Sequence, residues 1–266
     1  MSEPEPLVKL DSASKAFGSL RVIDSVDLAV RPGENLAVLG MSGTGKSVLL
    51  KLIIGLLRLD AGEIYLWGEP ISELGEEELI PLRRRMGMVF QSGALFDSMT
   101  VFENVAYPLY EAGDLEEPDI RGRVEEFLEW VGLPGVGPKR PSELSGGMRK
   151  RVSLARTMVV RPELILYDEP TAGLDPVTGR RISLLIREMG ERIGTTYIVV
   201  THDVDCAFNV ARRWSYLCHG NILADGSPEE LFGSSDPEVR SFLAPWAAML
   251  APAASRVASA GRSPEG

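Results

Sequence analysis

Short apolar runs recur along the chain, and polar residues follow each of them directly. The runs occupy residues 36–39, 86–90, 164–167 and 195–201. Strands that are buried on both faces of a parallel sheet have this pattern, because helices cover both sides of such a sheet. The runs therefore predict a parallel sheet at the centre of an α/β fold.

Other periodicities occur around these runs. Residues 22–30 (VIDSVDLAV) alternate apolar with polar or small side chains, which predicts a half-buried antiparallel strand, and residues 63–67 form another strand-like segment. Between residues 91 and 161 the strand pattern gives way to helical periodicity, which marks 121–131 and 146–158. We therefore expect a small antiparallel sheet and a helical lobe inserted into the α/β core.

The C-terminal region has a further helical pattern. The apolar residues on helical spacing after Asp236 are Val239, Phe242, Leu243, Trp246 and Leu250. Pro245 is expected to kink or split that helix, because proline cannot continue the helical hydrogen bonding. Beyond Pro252 the composition turns to Ala, Ser, Gly and Pro, which predicts a disordered tail.

Composition and charge narrow the class of protein. The 266 residues carry a formal net charge of −10, which opposes a general affinity for nucleic acid. The longest apolar run, residues 48–57, is shorter than the roughly 20 residues that span a bilayer, and the acidic start MSEPEPLVKL does not resemble a secretory signal. We expect a cytoplasmic chain in which Cys206 and Cys218, which lack metal-site spacing, are reduced and packed.

A phosphate-loop pattern follows the first apolar run. Residues 40–47, GMSGTGKS, fit G-x-x-x-x-G-K-[ST] and precede an apolar helix that starts near Val48. Glycines allow main-chain N–H groups to turn inward around phosphate oxygens. Lys46 adds a cation at the β and γ phosphates, and Ser47 offers a ligand for Mg²⁺. The sequence thus predicts a nucleoside triphosphate site.

Two adjacent carboxylates follow the third apolar run, in LILYDEP. Asp168 lies at the carboxyl end of that predicted strand, where open α/β sheets bind ligands. We expect Asp168 to hold the metal shell and Glu169 to accept the proton of an attacking water. An isolated Asp-Glu pair is more often a solvated turn, so this interpretation depends on the strand and the phosphate loop.

Three further side chains are candidates with stated alternatives. His202 follows the fourth run and can donate to the γ phosphate, although a structural histidine also fits that position. Gln91 brings an amide to the same edge of the sheet, where an ordinary strand end is the alternative. Phe17, in SKAFG, offers an aromatic face to adenine, with packing in the core as the alternative.

Taken in order, these residues resemble the nucleotide-binding subunits of ATP-binding cassette transporters. The matching elements are the phosphate loop at 40–47, Gln91, LSGGM at 144–148, LILYDE at 164–169, AGLD at 172–175 and His202. The resemblance covers about residues 7–232, an ATPase domain with a helical subdomain at about 92–160, followed by a C-terminal extension at 233–266. It implies a RecA-like phosphate-loop core with an antiparallel β subdomain and an inserted α-helical subdomain, and ATP and Mg²⁺ as cofactors.

The resemblance also implies a homodimer. In that family the signature segment of one subunit closes over the γ phosphate held by the other, and a helix that starts at Ser145 suits this role because it presents free N–H groups and a positive dipole end. The implied nucleotide-binding residues are Phe17, Gly40, Ser42, Gly43, Thr44, Gly45, Lys46, Ser47, Val48, Ser145, Gly146, Gly147 and Asp175. The implied catalytic residues are Lys46, Gln91, Glu169 and His202, and the implied metal ligands are Ser47, Gln91 and Asp168.

A closer resemblance lies in residues 90–109, in ELSGGMRKRVSLAR and in Met148, which stands where the common signature has Gln. These segments are similar to the ATPases of the Mla and Mce class, which power lipid movement between membranes. The resemblance implies a peripheral subunit on the cytoplasmic face of the inner membrane. Its implied partners are an Mla/Mce-type permease and an MCE-domain lipid-binding protein, with no nucleic acid. A small regulatory subunit on the helical lobe is left open.

Other functions stay open from the residues alone. A transport ATPase for an amino acid or a metal would have the same ATP site. Soluble cassette ATPases of translation or DNA repair usually have two cassettes or a long coiled-coil insertion, and a nucleotide sensor can lose the base that Glu169 provides. In SGALFDSM (92–99), we predict Leu95, Phe96 and Met99 on one side of a helical turn. They either pack in the lobe or form a groove for a permease helix.

Overall fold

The computed structural model describes residues 5–250, which form ten strands and nine α-helices. The strands are β1 (Val8–Phe17), β2 (Leu20–Val30), β3 (Asn35–Leu39), β4 (Ala61–Leu66), β5 (Glu69–Pro70), β6 (Met86–Val89), β7 (Leu164–Asp168), β8 (Thr196–Thr201), β9 (Arg213–Cys218) and β10 (Asn221–Gly226). The helices are α1 (Lys46–Ile53), α2 (Glu76–Arg84), α3 (Val101–Ala112), α4 (Glu117–Trp130), α5 (Gly146–Met158), α6 (Pro176–Ile193), α7 (Val204–Val210), α8 (Pro228–Phe232) and α9 (Pro237–Leu243). Within this described range, no helix has both the length and the apolarity needed to cross a bilayer.

The central sheet has six strands in the order β10-β9-β3-β8-β7-β6. Adjacent strands of this sheet run parallel to each other, except that β10 pairs with β9 in antiparallel orientation. The predictions from the four apolar runs are confirmed as β3, β6, β7 and β8, and every residue of β7 and β8 is buried. Because parallel strands end at the same edge of a sheet, the polar residues that follow them come together there.

The second sheet is antiparallel, with the order β2-β1-β4-β5, so the strands predicted at 22–30 and 63–67 are confirmed. This sheet and the central sheet enclose one hydrophobic core, and the helices enclose another on the opposite face. Successive side chains of a strand point to opposite faces, and β3 therefore serves both cores. Leu36 and Val38 pack beneath the antiparallel sheet, whereas Ala37 and Leu39 pack on the helical side.

Three α-helices and a short 3₁₀ helix (Pro141–Glu143) lie between β6 and β7. The helices predicted at 121–131 and 146–158 are confirmed as α4 and α5, and α3 is an addition that the periodicity analysis missed. A capping box starts α3: Thr100 Oγ1 accepts from the N–H of Glu103 at 3.2 Å, and the Glu103 carboxylate accepts from the N–H of Thr100 at 2.6 Å. The three helices share one core, to which Val105, Phe127 and Val152 contribute.

The segment before α3 is an irregular loop, so the prediction of a helical turn at residues 92–99 is wrong. The buried side chain of Asn104 holds this loop instead. Its Oδ1 accepts from the N–H of Phe96 at 2.8 Å, and its Nδ2 donates to the carbonyls of Phe96 at 3.0 Å and Thr100 at 2.9 Å. Leu95 packs against the core, as one alternative predicted, but Phe96 is 42% exposed.

The described part of the C-terminal extension, residues 233–250, folds back on the core. Helix α9 ends at Leu243 and a 3₁₀ helix continues over Ala244–Leu250, so the predicted split at Pro245 is confirmed. Val239 and Leu243 are buried on the core side. The side chain of Leu250 and the predicted tail beyond Pro252 lie outside the described residues.

Candidate active site

The phosphate loop connects the end of β3 to the start of α1. Its glycines are needed for space as well as for conformation. A Cβ at Gly40 would lie 2.4 Å from the carbonyl oxygen of Leu217, and one at Gly45, where φ is +102°, would lie 2.9 Å from the carbonyl oxygen of Val22. Side chains are therefore excluded at both ends of the loop, and its main chain is free to wrap an anion.

Lys46 is held inside this loop. The side chain is 5% exposed, and its Nζ donates to the carbonyls of Gly40 and Met41, both at 2.9 Å. Its Nζ also lies 3.5 Å from a carboxylate oxygen of Glu169. Burial lowers the pKa of Lys46, and the nearby carboxylates of Glu169 and Asp168 act in the opposite direction. The structure thus places a cation in the concave side of the loop.

The two carboxylates at the end of β7 have different neighbours. Asp168, the last residue of that strand, is 7% exposed and accepts a hydrogen bond of 2.8 Å from Ser47 Oγ. A hydroxyl beside a carboxylate is a pair of hard oxygen ligands, which is the donor type that Mg²⁺ prefers. The predicted metal ligands Ser47 and Asp168 are therefore adjacent and chemically suited to that ion.

Glu169 has the unusual backbone conformation of the site, with φ at +46°. Its carboxylate accepts from Thr201 Oγ1 at 3.0 Å, and His202 Nδ1 lies 3.0 Å from both of its oxygens. Non-glycine residues in this conformation are costly and cluster at functional sites. The turn after β7 aims the carboxylate at the end of β8 instead of at solvent.

Gln91 lies in the turn after β6, and it is exposed. Its carbonyl oxygen accepts a short hydrogen bond from Lys150 Nζ, a residue that the sequence analysis did not select. Lys150 belongs to α5 and is 8% exposed. Burial lowers its pKa, and the charges of Asp168 and Glu169 act in the opposite direction. A second buried lysine thus ties the signature helix to the segment that carries Gln91.

The sequence contained a signal for Lys150. The buried residues of α5 that share its helical face are Ser153, Leu154, Thr157 and Met158. Spacings of three, four, seven and eight residues define one face of a helix. A lysine on that buried face requires a partner, because burying an unpaired charge is costly.

The signature residues lie on a separate cleft of about 440 Å³. Two helix N-termini meet there: Ser145 caps α5 by accepting from the N–H of Met148 at 3.3 Å, and Asp175 caps α6 by accepting from the N–H groups of Val177 at 3.1 Å and Thr178 at 3.0 Å. Gly146 and Gly147 also line the cleft. The Asp175 carboxylate already takes the N–H groups at the start of α6, so the start of α5 is the part of the cleft that suits a phosphate.

The predicted residues therefore form two groups. Lys46, Ser47, Asp168, Glu169 and His202 meet at one edge of the sheet, whereas the signature residues and Asp175 line the separate cleft. The predicted loop residues Ser42, Gly43, Thr44 and Val48 lie in the phosphate loop or the first turn of α1. Phe17 is 47% exposed, so the alternative that its ring packs in the core is wrong.

A phosphate loop between a parallel strand and a helix, with carboxylates at the end of a neighbouring strand, defines the phosphate-loop nucleotide hydrolases. Within that class, the family model for the ABC transporter matches residues 23–172. The chain belongs to the ABC transporter family, and it is an ATP-hydrolysing cassette.

Several known proteins are similar to this chain. The "Intermembrane phospholipid transport system ATP-binding protein MlaF" of Escherichia coli K12 is 43% identical over 89% of this chain and 88% of its own length. The "Probable ribonucleotide transport ATP-binding protein mkl" of Mycobacterium leprae is 44% identical over 89% of this chain and 68% of its own length. A dimeric ATP-binding cassette solved in a post-hydrolysis state with ADP and Pi has a TM-score of 0.76 and 34% identity, covering 83% of this chain and 98% of that one.

Proposed function

We propose that this chain powers phospholipid movement between membranes as the ATPase subunit of an Mla/Mce-type transporter. It works at the cytoplasmic face of the inner membrane, with residues 7–232 as the ATPase domain. The observation that carries the hydrolytic part is the meeting of Lys46, Asp168 and Glu169 at one sheet edge. The proposal that the cargo is phospholipid is supported by the 43% identity to E. coli MlaF, which extends over 88% of that protein.

The chain's own residues account for hydrolysis in this proposal. The loop N–H groups and Lys46 hold the phosphates. Ser47, Asp168 and Gln91 would hold Mg²⁺, which would supply positive charge to the phosphate oxygens. Glu169 accepts the proton of the attacking water. His202, with Nδ1 beside the Glu169 carboxylate at 3.0 Å, offers Nε2 to the γ phosphate as a donor when the ring is protonated.

The cleft at the signature residues supports a homodimer as the working unit. No residue of the chain's own phosphate loop lines this cleft. A triphosphate bound at the loop of a second copy supplies the anion that this cleft lacks, with Asp175 at the seam. The similar post-hydrolysis cassette is itself dimeric.

An exposed aromatic surface supports a membrane partner. Phe96 and Tyr107 are 42% and 38% exposed, and their ring centroids are 5.2 Å apart. Arg156 lies over the Phe96 ring at 5.6 Å. Exposed apolar patches of this kind mark interaction sites. We assign this surface to a cytoplasmic helix of the permease, which in turn binds the MCE-domain protein, and we leave a regulatory subunit outside the proposal.

The test is reconstitution of the chain with its co-purified membrane partners in lipid vesicles. We expect ATP-dependent transfer of a fluorescent phospholipid, and no transfer or turnover with Lys46→Ala, which removes the cation at the phosphates. Parallel assays with radiolabelled ribonucleotides and amino acids address the other cargoes. Movement of one of these solutes with no phospholipid transfer would overturn the assignment of phospholipid as the cargo. Full ATP turnover by Lys46→Ala would overturn the assignment of the phosphate loop.

A further inference from the structure

A thiol, an imidazole and a carboxylate meet beside the end of β9. Cys218 is the last residue of that strand and pairs with Asn221 across a two-residue hairpin turn. The turn residues His219 and Gly220 both adopt left-handed conformations, with φ at +48° and +79°. Such turns hold two strands in fixed register, so Cys218 and His219 are presented from a rigid segment.

The third group comes from the C-terminal extension. Glu238 lies in the first turn of α9, whose start is fixed because the Asp236 carboxylate accepts from the N–H groups of Glu238 at 2.8 Å and Val239 at 3.2 Å. Val239 is fully buried and anchors the helix to the core. One ligand atom each from Cys218, His219 and Glu238 lie within 4.8 Å of one another.

The strand that carries Cys218 also contacts α9 through an aromatic pair. Tyr216 is fixed by contact with Phe242 of α9, at 4.9 Å between ring centroids. This contact holds the strand that carries Cys218 close to the helix that carries Glu238.

We propose that Cys218, His219 and Glu238 form a site for a borderline-soft divalent cation of the Zn²⁺ class. Thiolate, imidazole and carboxylate are the three ligand types that Zn²⁺ takes, whereas Mg²⁺ takes oxygen ligands. Ligand atoms in a tetrahedral zinc site lie about 3.3–3.8 Å apart, and rotation of the exposed His219 and Glu238 side chains closes the remaining gap. A water takes the fourth position.

The site would cross-link two parts of the chain that differ in function. The carbonyl of Leu217, next to Cys218, lies against Gly40 at the start of the phosphate loop. Glu238 belongs to the C-terminal extension. The bound cation therefore fixes α9 to the strand that supports the phosphate loop, and this inference holds whichever cargo is transported.

The test titrates the tag-free, metal-stripped full chain with Co²⁺, whose absorption reports both geometry and sulfur ligation. We expect one tetrahedral Co²⁺ per chain with a sulfur-to-cobalt charge-transfer band, displaced by Zn²⁺. Cys218→Ser should remove that band. His219→Asn, which tolerates the left-handed turn, and Glu238→Gln should weaken binding at least about tenfold. Cys206→Ser, which alters the other buried thiol, should bind as the parent does.

If Cys218→Ser folds poorly, two other measurements still test the site: the metal affinity of the His219 and Glu238 variants, and hydrogen exchange of α9 in the parent chain. His219 and Glu238 are exposed, so their variants retain the core and test the same ligand set. In the parent chain, Zn²⁺ should also slow hydrogen exchange of the α9 amides. Unchanged affinity in both exposed variants, a cobalt spectrum without a sulfur band, or a band lost in Cys206→Ser would overturn the site.

Discussion

The phosphate loop and the start of α5 are both suited to bind phosphate, but they differ in burial. The lysine of the loop is buried and bonded to protein, whereas the polar groups at the start of α5 are exposed to solvent. At the loop, Lys46 is 5% exposed and bonded to two carbonyls, with Glu169 at 3.5 Å. At α5, Ser145 and Gly146 are exposed and line an open cleft. The groups of the first region are bonded to one another within one chain, whereas the second region is open to solvent and, in the proposed dimer, receives a phosphate from the second copy.

The difference has an electrostatic cause. Two lysines and two carboxylates are gathered at the sheet edge, and buried charges of this kind are retained when they are paired with each other. The positive end of α5 carries partial charges that solvent can reach, so leaving it empty costs little. We therefore expect the loop region to keep its shape without nucleotide and the α5 cleft to act when two copies close.

The largest effect is expected from Glu169→Gln, which tests the region formed by the phosphate loop and the carboxylates at the end of β7. Glutamine keeps the shape of the side chain but cannot accept a proton from water, so turnover should fall about 10²- to 10⁴-fold while ATP binding remains. An ATP-bound dimer should accumulate and appear by size-exclusion chromatography. Glu188→Gln, on the exposed side of α6, is the control and should hydrolyse ATP as the parent does. Parental turnover by Glu169→Gln would place the base elsewhere.

The second test changes Ser145, at the start of α5, to arginine and addresses the cleft that the signature residues line. Arginine should fill the space that a second copy's phosphate needs, so each chain should bind ATP while hydrolysis falls to near the level of Lys46→Ala. Mixing the two inactive variants leaves one complete composite site in each mixed dimer. Measurable ATPase in the mixture is expected if the cleft acts across the dimer. A parental rate for Ser145→Arg alone would show that the cleft does not meet the nucleotide.

A smaller loss is expected at the contact between α5 and the turn after β6, where Lys150 bonds the Gln91 carbonyl. Lys150→Met removes the cation that holds the Gln91 carbonyl and leaves that oxygen without its donor. Hydrogen bonds to charged groups contribute about 1.5–3 kcal/mol to stability, so the segment that carries Gln91 should shift. Because small misplacements of positioning groups are costly, kcat should fall by about tenfold or more. Lys150→Arg should restore most of the rate. An equal loss in both variants, or a collapsed thermal melt with a normal rate per folded chain, would indicate a purely structural lysine.

The loop region was also the more predictable of the two from sequence. Strands such as β7 and β8 are apolar on both faces, so their boundaries and the polar residues that follow them could be read directly. Strand β9 was missed because Arg213 and Ser215 interrupt its apolar pattern. Both pair with Asp225 of β10, a partner that becomes visible only when the hairpin has formed.

The helical lobe shows a different limit of sequence analysis. Helix α3 starts at the capping box of Thr100 and Glu103 and contains Pro108, a residue that disfavours the interior of a helix. The loop before it was predicted as a helical turn because three apolar residues had helical spacing. The buried amide of Asn104 instead bonds the main chain of that loop. Spacing could not reveal this interaction, because it depends on one side chain reaching back eight residues to Phe96.

The smallest effect on the isolated chain is expected from Phe96→Asp, which alters a surface outside both phosphate sites. Because the ring is 42% exposed, aspartate should leave the melting temperature and ATP binding close to those of the parent. The same change places a charge on the proposed permease contact, so pull-down by the membrane partner and lipid transfer should both fall. Leu223→Asp, at a residue 37% exposed on β10, is the matched control. A melt lowered by many degrees would mean that the ring supports the lobe, and undiminished pull-down and transfer would remove Phe96 from the coupling surface.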